Sequence, residues 1–466
     1  MLVYMIINPL NHIIFNIDEY FTLTVINFPT SDLLHIISGY VHPPMYYLLS
    51  KAIAKLGTNL SILKIFSIIP YAIILLISTL KLREEYGWFI VGLFAFALAI
   101  ASEFFTKYLL LMPYSWAILF IVLSFIYFKD ILTKADKKSY ILFIIFSVLG
   151  SYFNYYAILT SICLYLILIY HTIQYKKDKT KEIAIIMVAS IILYAPWIPS
   201  LINFLQSIHE NFWIPAPTGD SIIQSLAYFA YSGDTLFSII TIIILIMIGL
   251  IYYRYANRDE DFYILAGITA YVGTIVLTLL ISIIFKPILL ARCVLPASAI
   301  LWLVISIMIG KIKARRMFLI STALIILVLI STAALMVTTS ATDYQNGIAQ
   351  QEVLANITQD NSSLVIITNP NMVMYFLDYS NYCDMYCINQ TYIYGENMAR
   401  THEIFDFKDL DIANIDDLAY NNTDRNIYLI SWGDPDVNIT TIPILKENNL
   451  VISKVNITNP YSDEIL

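Results

Sequence analysis

Two carboxylates and a histidine lie near the start of a chain that is otherwise very apolar. Asp18 and Glu19 directly follow the first apolar run, and His42 precedes a double proline in the apolar segment HPPMYYLL. A carboxylate at a membrane edge can act as a general base, or can bind a metal ion or a cationic partner. Such a pair can also merely end a helix in water, and the histidine and prolines can serve only to cap and turn a helix start.

Further charged residues lie at the ends of apolar segments, and these ends are predicted to be on the same side of the membrane. Lys286 and Arg292 bracket the run PILLA. Two cations at a membrane rim suit a lipid phosphate, because a guanidinium can hold two phosphate oxygens at once. Snorkelling of both side chains towards lipid head groups is the competing interpretation. Glu103 and Lys107 have the i, i+4 spacing of a predicted helix end, at which they can simply form an ion pair.

The composition identifies a membrane protein. Of the 466 residues, 59% are apolar and 13% are charged, which lies far outside the range of soluble globular proteins. Apolar runs that can cross a hydrocarbon core of about 30 Å recur up to residue 340. The first run, 1–15, lacks the basic region and the cleavage site of a signal peptide. The net charge of -7 and the lack of a basic tract argue against a nucleic-acid partner.

Basic clusters divide the apolar runs at intervals that fit the rule that positive residues face the cytoplasm. The clusters lie at 81–83, 129–138, 176–181, 254–258 and 311–316. Consecutive clusters are separated by enough apolar sequence for a helical hairpin. The predicted fold is therefore a polytopic α-helical protein of the cell membrane, with about 11 spans, that begins inside and ends outside.

The approximate spans are 1–15, 62–80, 88–103, 114–128, 140–152, 154–170, 182–198, 236–253, 262–284, 293–310 and 317–340. The segment 43–56 would begin and end outside, so we predict a juxtamembrane or re-entrant helix there. A true span is the alternative. Residues 1–340 thus form a predicted transmembrane domain, whose first outer loop, 16–61, contains the two carboxylates.

Residues 341–466 are more polar and are predicted to form a small extracytoplasmic α/β domain. Short β-rich runs at 363–368 and 425–431 alternate with a helix-like run at 371–379. Acceptor triplets for N-glycosylation agree with an outside location, although an Asn- and Thr-rich composition also produces them by chance. These triplets begin at Asn356, Asn361, Asn389, Asn421, Asn438 and Asn456. In an oxidising compartment, Cys383 and Cys387 could form a disulfide.

The order of several motifs carries a family resemblance over about residues 1–340. The motifs are DEYFT (18–22), HPPMYYLL (42–49), SEFFTKYLLLMPYSWAILF (102–120), YFNYYAIL (152–159), YAPWIPSLI (194–202) and ARCVLPASAILWL (291–303). Together they resemble the glycosyltransferase C superfamily, in its branch of protein O-mannosyltransferase-like and aminoarabinose-transferase-like membrane enzymes. The acidic pair followed by the HPP-Tyr-Tyr segment is the most specific part of the match.

This resemblance implies transfer of a sugar from a polyprenyl-phosphate donor of the dolichyl-phosphate type, with inversion at the anomeric carbon. The acceptor would be a protein, glycan or lipid on the outer face. Asp18 would deprotonate the acceptor with Glu19 in support, or the reverse, because a hydroxyl is a weak nucleophile until its proton is taken. Arg292 and Lys286 would stabilise charge on the leaving phosphate.

The expected substrate-binding residues are His42, Tyr46, Tyr47, Glu103, Lys107, Tyr114, Tyr155, Lys286 and Arg292. No residue is assigned as a metal ligand and no cofactor is specified, although a divalent metal ion is left open. Protein glycosylation in the cell envelope, by a mannosyltransferase-like reaction, is the expected setting.

One motif of the family is reduced in this chain. Relatives often carry a QEARMY-like motif near 108–114, where this chain has YLLLMPY and keeps only Met112 and Tyr114. Either Glu103 and Lys107 substitute for the missing acid and arginine, or the donor differs, or activity is reduced. Cys293 also replaces the usual tyrosine after the arginine.

Two other function classes fit a polytopic helical protein with few charges. A transporter or flippase for a lipid-linked or ionic solute would show repeat symmetry or spans broken at midplane, whereas this sequence has no evident repeat and its charges lie at one rim. A membrane-anchored sensor that uses its tail to bind a ligand would not need so many spans. The enzyme is therefore the favoured interpretation.

Overall fold

The computed structural model describes most of the chain up to residue 358 and short segments beyond it. The described residues are 17–55, 60–101, 107–108, 110–207, 214–231, 233–358, 364–367, 384–388, 408–410, 421 and 427–430. They fall into two compact units, which we describe separately. The first comes from 30–205 and 213–337, and the second from 14–29, 206–212 and 338–466. The predicted span 1–15 lies outside the described residues.

Long apolar runs separated by polar turns make the described part of the first unit helical. After α1 (Ile17–Val25), which belongs to the second unit, the helices are α2 (Thr30–Ile37), α3 (Met45–Ala54), α4 (Leu60–Ile77), α5 (Arg83–Ile100), α6 (Tyr114–Thr133), α7 (Lys137–Phe153), α8 (Tyr155–Tyr175), α9 (Thr180–Tyr194), α10 (Ile198–Ser207), α11 (Gly219–Ala227), α12 (Thr235–Tyr255), α13 (Asp261–Ile284), α14 (Leu295–Gly310) and α15 (Arg315–Thr358). A π turn, Ser78–Leu82, joins α4 to α5.

Polar side chains fix where several of these helices begin. The Asp136 carboxylate accepts the Ser139 N–H at 2.7 Å before α7, and the Asn154 side chain accepts the Tyr156 N–H at 2.8 Å before α8. Asp234 caps α12 in the same way, through its carboxylate. Each cap satisfies an N–H that the first helical turn leaves without a partner.

Eight helical segments among the described residues are long and apolar enough to cross a membrane. They are Ile62–Ile100, Tyr114–Thr133, Tyr155–Tyr175, Lys177–Gln206, Thr235–Tyr255, Asp261–Ile284, Ala291–Gly310 and Arg315–Leu335. The chain is thus a multi-pass membrane protein. The expected total of about 11 spans remains a prediction, because one of them lies outside the described residues and another, 140–152, coincides with the 17-residue helix α7.

The longest of these segments is interrupted by a glycine. Ile62–Ile100 has 39 residues, a length of roughly 58 Å if it were straight, which is about twice the hydrocarbon thickness. Gly87 adopts φ 77° and ψ 173° inside it, a conformation that is essentially restricted to glycine. The break lies between the two runs, 62–80 and 88–103, that the sequence predicted as separate spans.

The helix α3 is too short to be a span by itself. Its 10 residues extend about 15 Å, half of the hydrocarbon thickness. This length agrees with the predicted juxtamembrane or re-entrant helix and not with the alternative of a true span. Its residues Tyr46, Tyr47 and Ser50 are buried.

The centre of the first unit is α14. All of its residues from Leu295 to Ile309 are buried, and it packs against α5, α6, α8, α12 and α13. Gly267 on α13 permits one of these approaches, because a Cβ there would collide with side chains of α6 and α14. The indole N–H of Trp302 donates to the Phe229 carbonyl at 2.6 Å. By contrast, α9 exposes Ile191, Ile192 and Leu193, as expected of a helix that faces lipid.

An ion cluster ties several helices together at one end of the first unit. The Lys129 ammonium, near the end of α6, contacts the carboxylates of Glu85 and Glu260, the latter at 2.8 Å, and the Tyr86 hydroxyl. Lys311, which follows α14, lies 3.5 Å from Glu260. We call this group the Lys129 cluster. Its lysine side chain is only 10% exposed, so these partners replace water around the ammonium.

The described strands of the second unit form a parallel sheet. Its strands are β1 (Leu364–Ile367), β2 (Asp384–Ile388), β3 (Lys408–Leu410) and β4 (Ile427–Ile430), in the order β3-β2-β1-β4. Parallel neighbours need crossover connections of a dozen or more residues. β1 and β4 fall within the runs predicted as strands, whereas the helix-like run 371–379 and Cys383 lie outside the described residues. The α/β class of this part and its boundary at 341 remain predictions.

We expect Lys129→Met to lower the free energy of unfolding by roughly 2 kcal/mol, because it removes the buried cation between Glu85 and Glu260 and leaves Lys311 beside Glu260. The matched control is Lys134→Met on the same helix, whose side chain is 62% exposed and pairs with Asp130. That substitution is expected to cost less than about 1 kcal/mol. The midpoints of thermal unfolding in detergent measure both. Equal shifts would contradict a special role for the Lys129 cluster.

Candidate functional site

His42 lies in a buried group of aromatic and cationic side chains in the first unit. Its ring, 7% exposed, meets the Tyr114 ring edge-on at 5.5 Å between centroids, with an interplanar angle of 88°. The Tyr40 ring approaches it at 6.1 Å. Tyr114 is the first residue of α6 and follows Pro113, which suits a helix start. The turn after α2 and the beginning of α6 therefore meet at this histidine.

Two cations belong to this group. The ammonium of Lys107, whose residue is 5% exposed, lies 5.9 Å from the centroid of the Tyr114 ring, a cation–π distance. Arg292 is close enough for its charge to act on His42. We refer to His42, Lys107, Tyr114 and Arg292 as the His42 site.

The imidazole of His42 is neutral. Burial, and then the charge of Arg292, lower the pKa of His42 from 6.5 to about 3, because both disfavour a second positive charge. Its Nδ1 atom is buried and has no hydrogen-bond partner among the described residues. Buried polar atoms usually have a partner, so this nitrogen can take one from a bound molecule.

The backbone that carries Arg292 is held from two helices. The Tyr156 hydroxyl on α8 donates to the Ile288 carbonyl at 2.7 Å, and the Ile288 N–H donates to the Ser282 hydroxyl of α13 at 3.0 Å. Arg292 then lies in the 3-10 turn Ala291–Val294, beside the fully buried Cys293. Cys293 thus forms part of the packed support of the arginine.

Tyr155, one of the expected substrate-binding residues, makes its described contacts away from the His42 site. Its hydroxyl accepts a hydrogen bond from the Trp197 indole at 3.1 Å, and its ring stacks on Phe204 at 5.3 Å. Its neighbour Tyr156 instead reaches the segment that leads to Arg292. Adjacent residues of a helix project about 100° apart, and the motif YFNYYAIL alone does not indicate which tyrosine faces which way.

Tyr46 and Tyr47 support the turn that contains His42. The Tyr46 hydroxyl shares a hydrogen bond of 2.7 Å with the Ser67 hydroxyl of α4, and its ring stacks on Phe66 at 5.8 Å. The Tyr47 ring lies 6.3 Å from the Tyr40 ring. Both tyrosines are fully buried, so they position α3 and the HPP turn.

Of the remaining predicted residues of the first unit, the structure describes Lys286 and not Glu103. Lys286 lies just after α13, where its N–H donates to the Ile281 carbonyl at 3.3 Å. Its side chain is partly exposed, and no described hydrogen bond or ion pair links it to His42. Glu103 lies outside the described residues, so its expected pairing with Lys107 stays a prediction.

Asp18 and Glu19 lie in the first turn of α1, in the second unit. Carboxylates are favoured there because they face the positive end of the helix dipole. The Glu19 side chain is fully buried, and Asp18 is partly buried. The Thr22 hydroxyl donates to the Asp18 carbonyl at 3.1 Å. Their catalytic role remains a prediction.

Two residues were missed in the sequence. Nothing in the sequence distinguishes Tyr156 from the tyrosines around it. Lys64 could have been noticed, since it is a cation inside the apolar run of α4. It is 5% exposed, and charged side chains at membrane depth usually serve a site or a pathway. Among the described residues, no group of three His, Cys, Asp or Glu side chains could hold a metal ion.

Comparison with known proteins yields a structural match. No protein-family model and no curated protein sequence matches the chain. The crystal structure of ArnT from Cupriavidus metallidurans bound to undecaprenyl phosphate aligns with 90% of this chain and 86% of its own chain, with a TM-score of 0.54 and 11% identity. The apo structure of the same protein aligns with 87% of this chain and 84% of its own, with a TM-score of 0.42 and 11% identity.

The match to the lipid-bound structure establishes a likeness of fold. At the level of fold, this match confirms the resemblance to the aminoarabinose-transferase-like branch that the sequence predicted. At 11% identity the match does not transfer activity or residues.

The buried histidine should make stability depend on pH. Because the pKa of His42 is about 3 in the folded state and near 6.5 in an unfolded chain, the unfolded state takes up a proton first as the pH falls. Stability should decrease from pH 6.5 towards 3, by up to about 1.4 kcal/mol per pH unit from this group.

Thermal unfolding in detergent between pH 7 and 4 measures this dependence. His42→Gln should flatten the curve. The control His35→Gln replaces an exposed histidine of α2 and should leave the wild-type slope. Identical slopes in all three proteins would contradict a neutral, buried His42.

Proposed function

We propose that the chain is an integral membrane glycosyltransferase that transfers a sugar from a polyprenyl-phosphate donor to an acceptor. The observation that carries this proposal is the His42 site, in which Lys107 and Arg292 gather around a buried ring pair. The fold of the chain resembles that of an ArnT structure bound to undecaprenyl phosphate. A protein, glycan or lipid acceptor is compatible with this function, as are dolichyl and undecaprenyl lipids.

The two cations suit the donor phosphate. An ammonium and a guanidinium in one group supply the positively charged donors that bind a phosphate best, so their presence together favours an anionic ligand. The guanidinium of Arg292 can hold two phosphate oxygens, while Lys107 supplies a point charge. Lys107 would thereby replace the arginine that is missing from the reduced motif at 108–114.

The same cations would act in the reaction itself. The bond between the anomeric carbon and the phosphate oxygen breaks, so negative charge grows on the phosphate as the acceptor attacks. Preorganised cations in a site of low dielectric stabilise this charge more in the transition state than in the ground state. The neutral His42 adds no positive charge to this group.

Asp18 is the proposed general base, with Glu19 in support, or the reverse. As the acceptor oxygen or nitrogen attacks the anomeric carbon from the side opposite the phosphate, its proton passes to the carboxylate, and inversion follows. The partly buried Asp18 and the fully buried Glu19 give two carboxylates of different solvation for this task.

We further propose that the His42 site faces the outside of the cell membrane. Within α6, Tyr114 begins the helix and Lys129 lies near its other end, roughly 22 Å away at the usual rise per residue. Lys129 and the flanking basic residues follow the rule that positive residues face the cytoplasm. Independently of this site, residues 341–466 follow the last of an odd number of predicted spans, and we propose that they are extracytoplasmic.

Asp18→Asn tests the assigned base. Transfer of radiolabelled sugar from polyprenyl-phosphate donors in membranes should fall by about 10²- to 10⁴-fold, the usual contribution of a general base, while binding of undecaprenyl phosphate is retained. Asp32→Asn, an exposed carboxylate in α2, is the matched control and should transfer normally. Full activity of both Asp18→Asn and Glu19→Gln would refute the mechanism.

Arg292→Gln and Lys286→Gln separate the two cations that the sequence paired. Loss of charge-assisted hydrogen bonds should raise the Kd for undecaprenyl phosphate by roughly 10- to 100-fold in Arg292→Gln. Lys286→Gln should change it by less than about threefold, because its side chain is partly exposed and has no described link to His42. The converse ranking would place the phosphate at Lys286.

A further inference from the structure

The neutral His42 is not explained by phosphate binding. A phosphate is bound best by positively charged donors, which Arg292 and Lys107 already supply. His42 instead retains a buried Nδ1 atom with no hydrogen-bond partner among the described residues. Leaving such an atom unpaired costs about 1–3 kcal/mol. A phenylalanine would pack against Tyr114 without this cost.

The surroundings of the imidazole define the ligand that would pair with it. The nearby charge of Arg292 opposes protonation, so His42 is disfavoured as a cation and as a general acid. A neutral imidazole nitrogen either donates or accepts one hydrogen bond, according to its tautomer. A hydroxyl group can be the partner in both cases, since it both donates and accepts.

Two aromatic rings lie beside the imidazole. Tyr114 and Tyr40 lie 5.5 Å and 6.1 Å from the imidazole, between ring centroids. Pockets for small molecules commonly combine aromatic walls with a few polar atoms that fix orientation. In a donor whose phosphate is held by Arg292, the group covalently attached to that phosphate is the sugar, which carries several hydroxyl groups.

We propose that His42 binds a hydroxyl group of the donor's sugar through its Nδ1 atom. This inference rests on the proposed function and adds a residue that discriminates between sugars. A site that hydrogen-bonds a substrate hydroxyl rejects the analogue that lacks it, because the buried polar atom is then left unpaired. His42 would therefore contribute to the choice of donor sugar, and Arg292 and Lys107 to the binding of any polyprenyl phosphate.

His42→Phe and His42→Gln test this assignment in the full-length protein in detergent. The probes are undecaprenyl phosphate and undecaprenyl phosphate linked to mannose, glucose or galactose. The sugar lipid that the wild type binds most tightly serves for the comparison. In His42→Phe its Kd should rise by about tenfold, whereas the Kd of the sugar-free lipid should stay within about twofold. His42→Gln, which keeps a hydrogen-bonding group, should show a smaller loss.

Thermal unfolding separates this role from a structural one. His42→Phe should unfold at the wild-type temperature or above, because it removes an unpaired buried nitrogen while keeping a ring. Stability that is retained while binding of the sugar lipid weakens supports the proposal. If His42→Phe fails to fold, monodeoxy sugar lipids replace it. The wild type should lose affinity for one deoxy analogue, and His42→Gln should discriminate against that analogue less.

Three outcomes would overturn the inference. Equal weakening of sugar-bearing and sugar-free lipids would assign His42 to the phosphate. Unchanged binding of both would make it a packing residue. Discrimination by His42→Gln that matches the wild type for every deoxy analogue would also exclude it. Failure of the wild type to bind any of these lipids, by contrast, would refute the proposed function itself.

Discussion

The cost of placing charge in a low-dielectric bilayer governs the arrangement of the first unit. Each ionised side chain at membrane depth costs a few kcal/mol unless it is paired or serves a site. The central helix α14 accordingly carries no charged residue and is buried along its length. Charges collect instead at two ends of the helices, in the Lys129 cluster and in the His42 site.

The Lys129 cluster and the His42 site differ in how the charge of their central side chain is controlled. In the Lys129 cluster the cation is surrounded by carboxylates and a phenol, so charge is compensated within the protein. In the His42 site a histidine that could have been charged is kept neutral by burial and by Arg292. The first arrangement suits a structural tie between helices, and the second keeps the ring beside the proposed phosphate neutral.

Much of the helical framework was predictable from residue types. The starts of α6 and α12 and the end of α13 lie within two residues of the predicted spans, because long apolar runs and capping residues are local signals. Gly87 also lies between the two runs, 62–80 and 88–103, that were predicted as separate spans. The number of spans was less accessible, because short apolar runs such as 140–152 do not by themselves distinguish a span from a packed helix.

The sequence by itself determined the class of protein, the motif order that resembles membrane glycosyltransferases, and the presence of His42, Lys107 and Arg292. Only the tertiary structure decided which of these meet. It joined His42 to Tyr114 and Arg292, left Lys286 partly exposed, and gave Tyr156 the role in supporting Arg292 that the sequence had suggested for no residue. Such choices depend on helix rotation and on contacts between residues far apart in the chain, which composition and spacing do not encode.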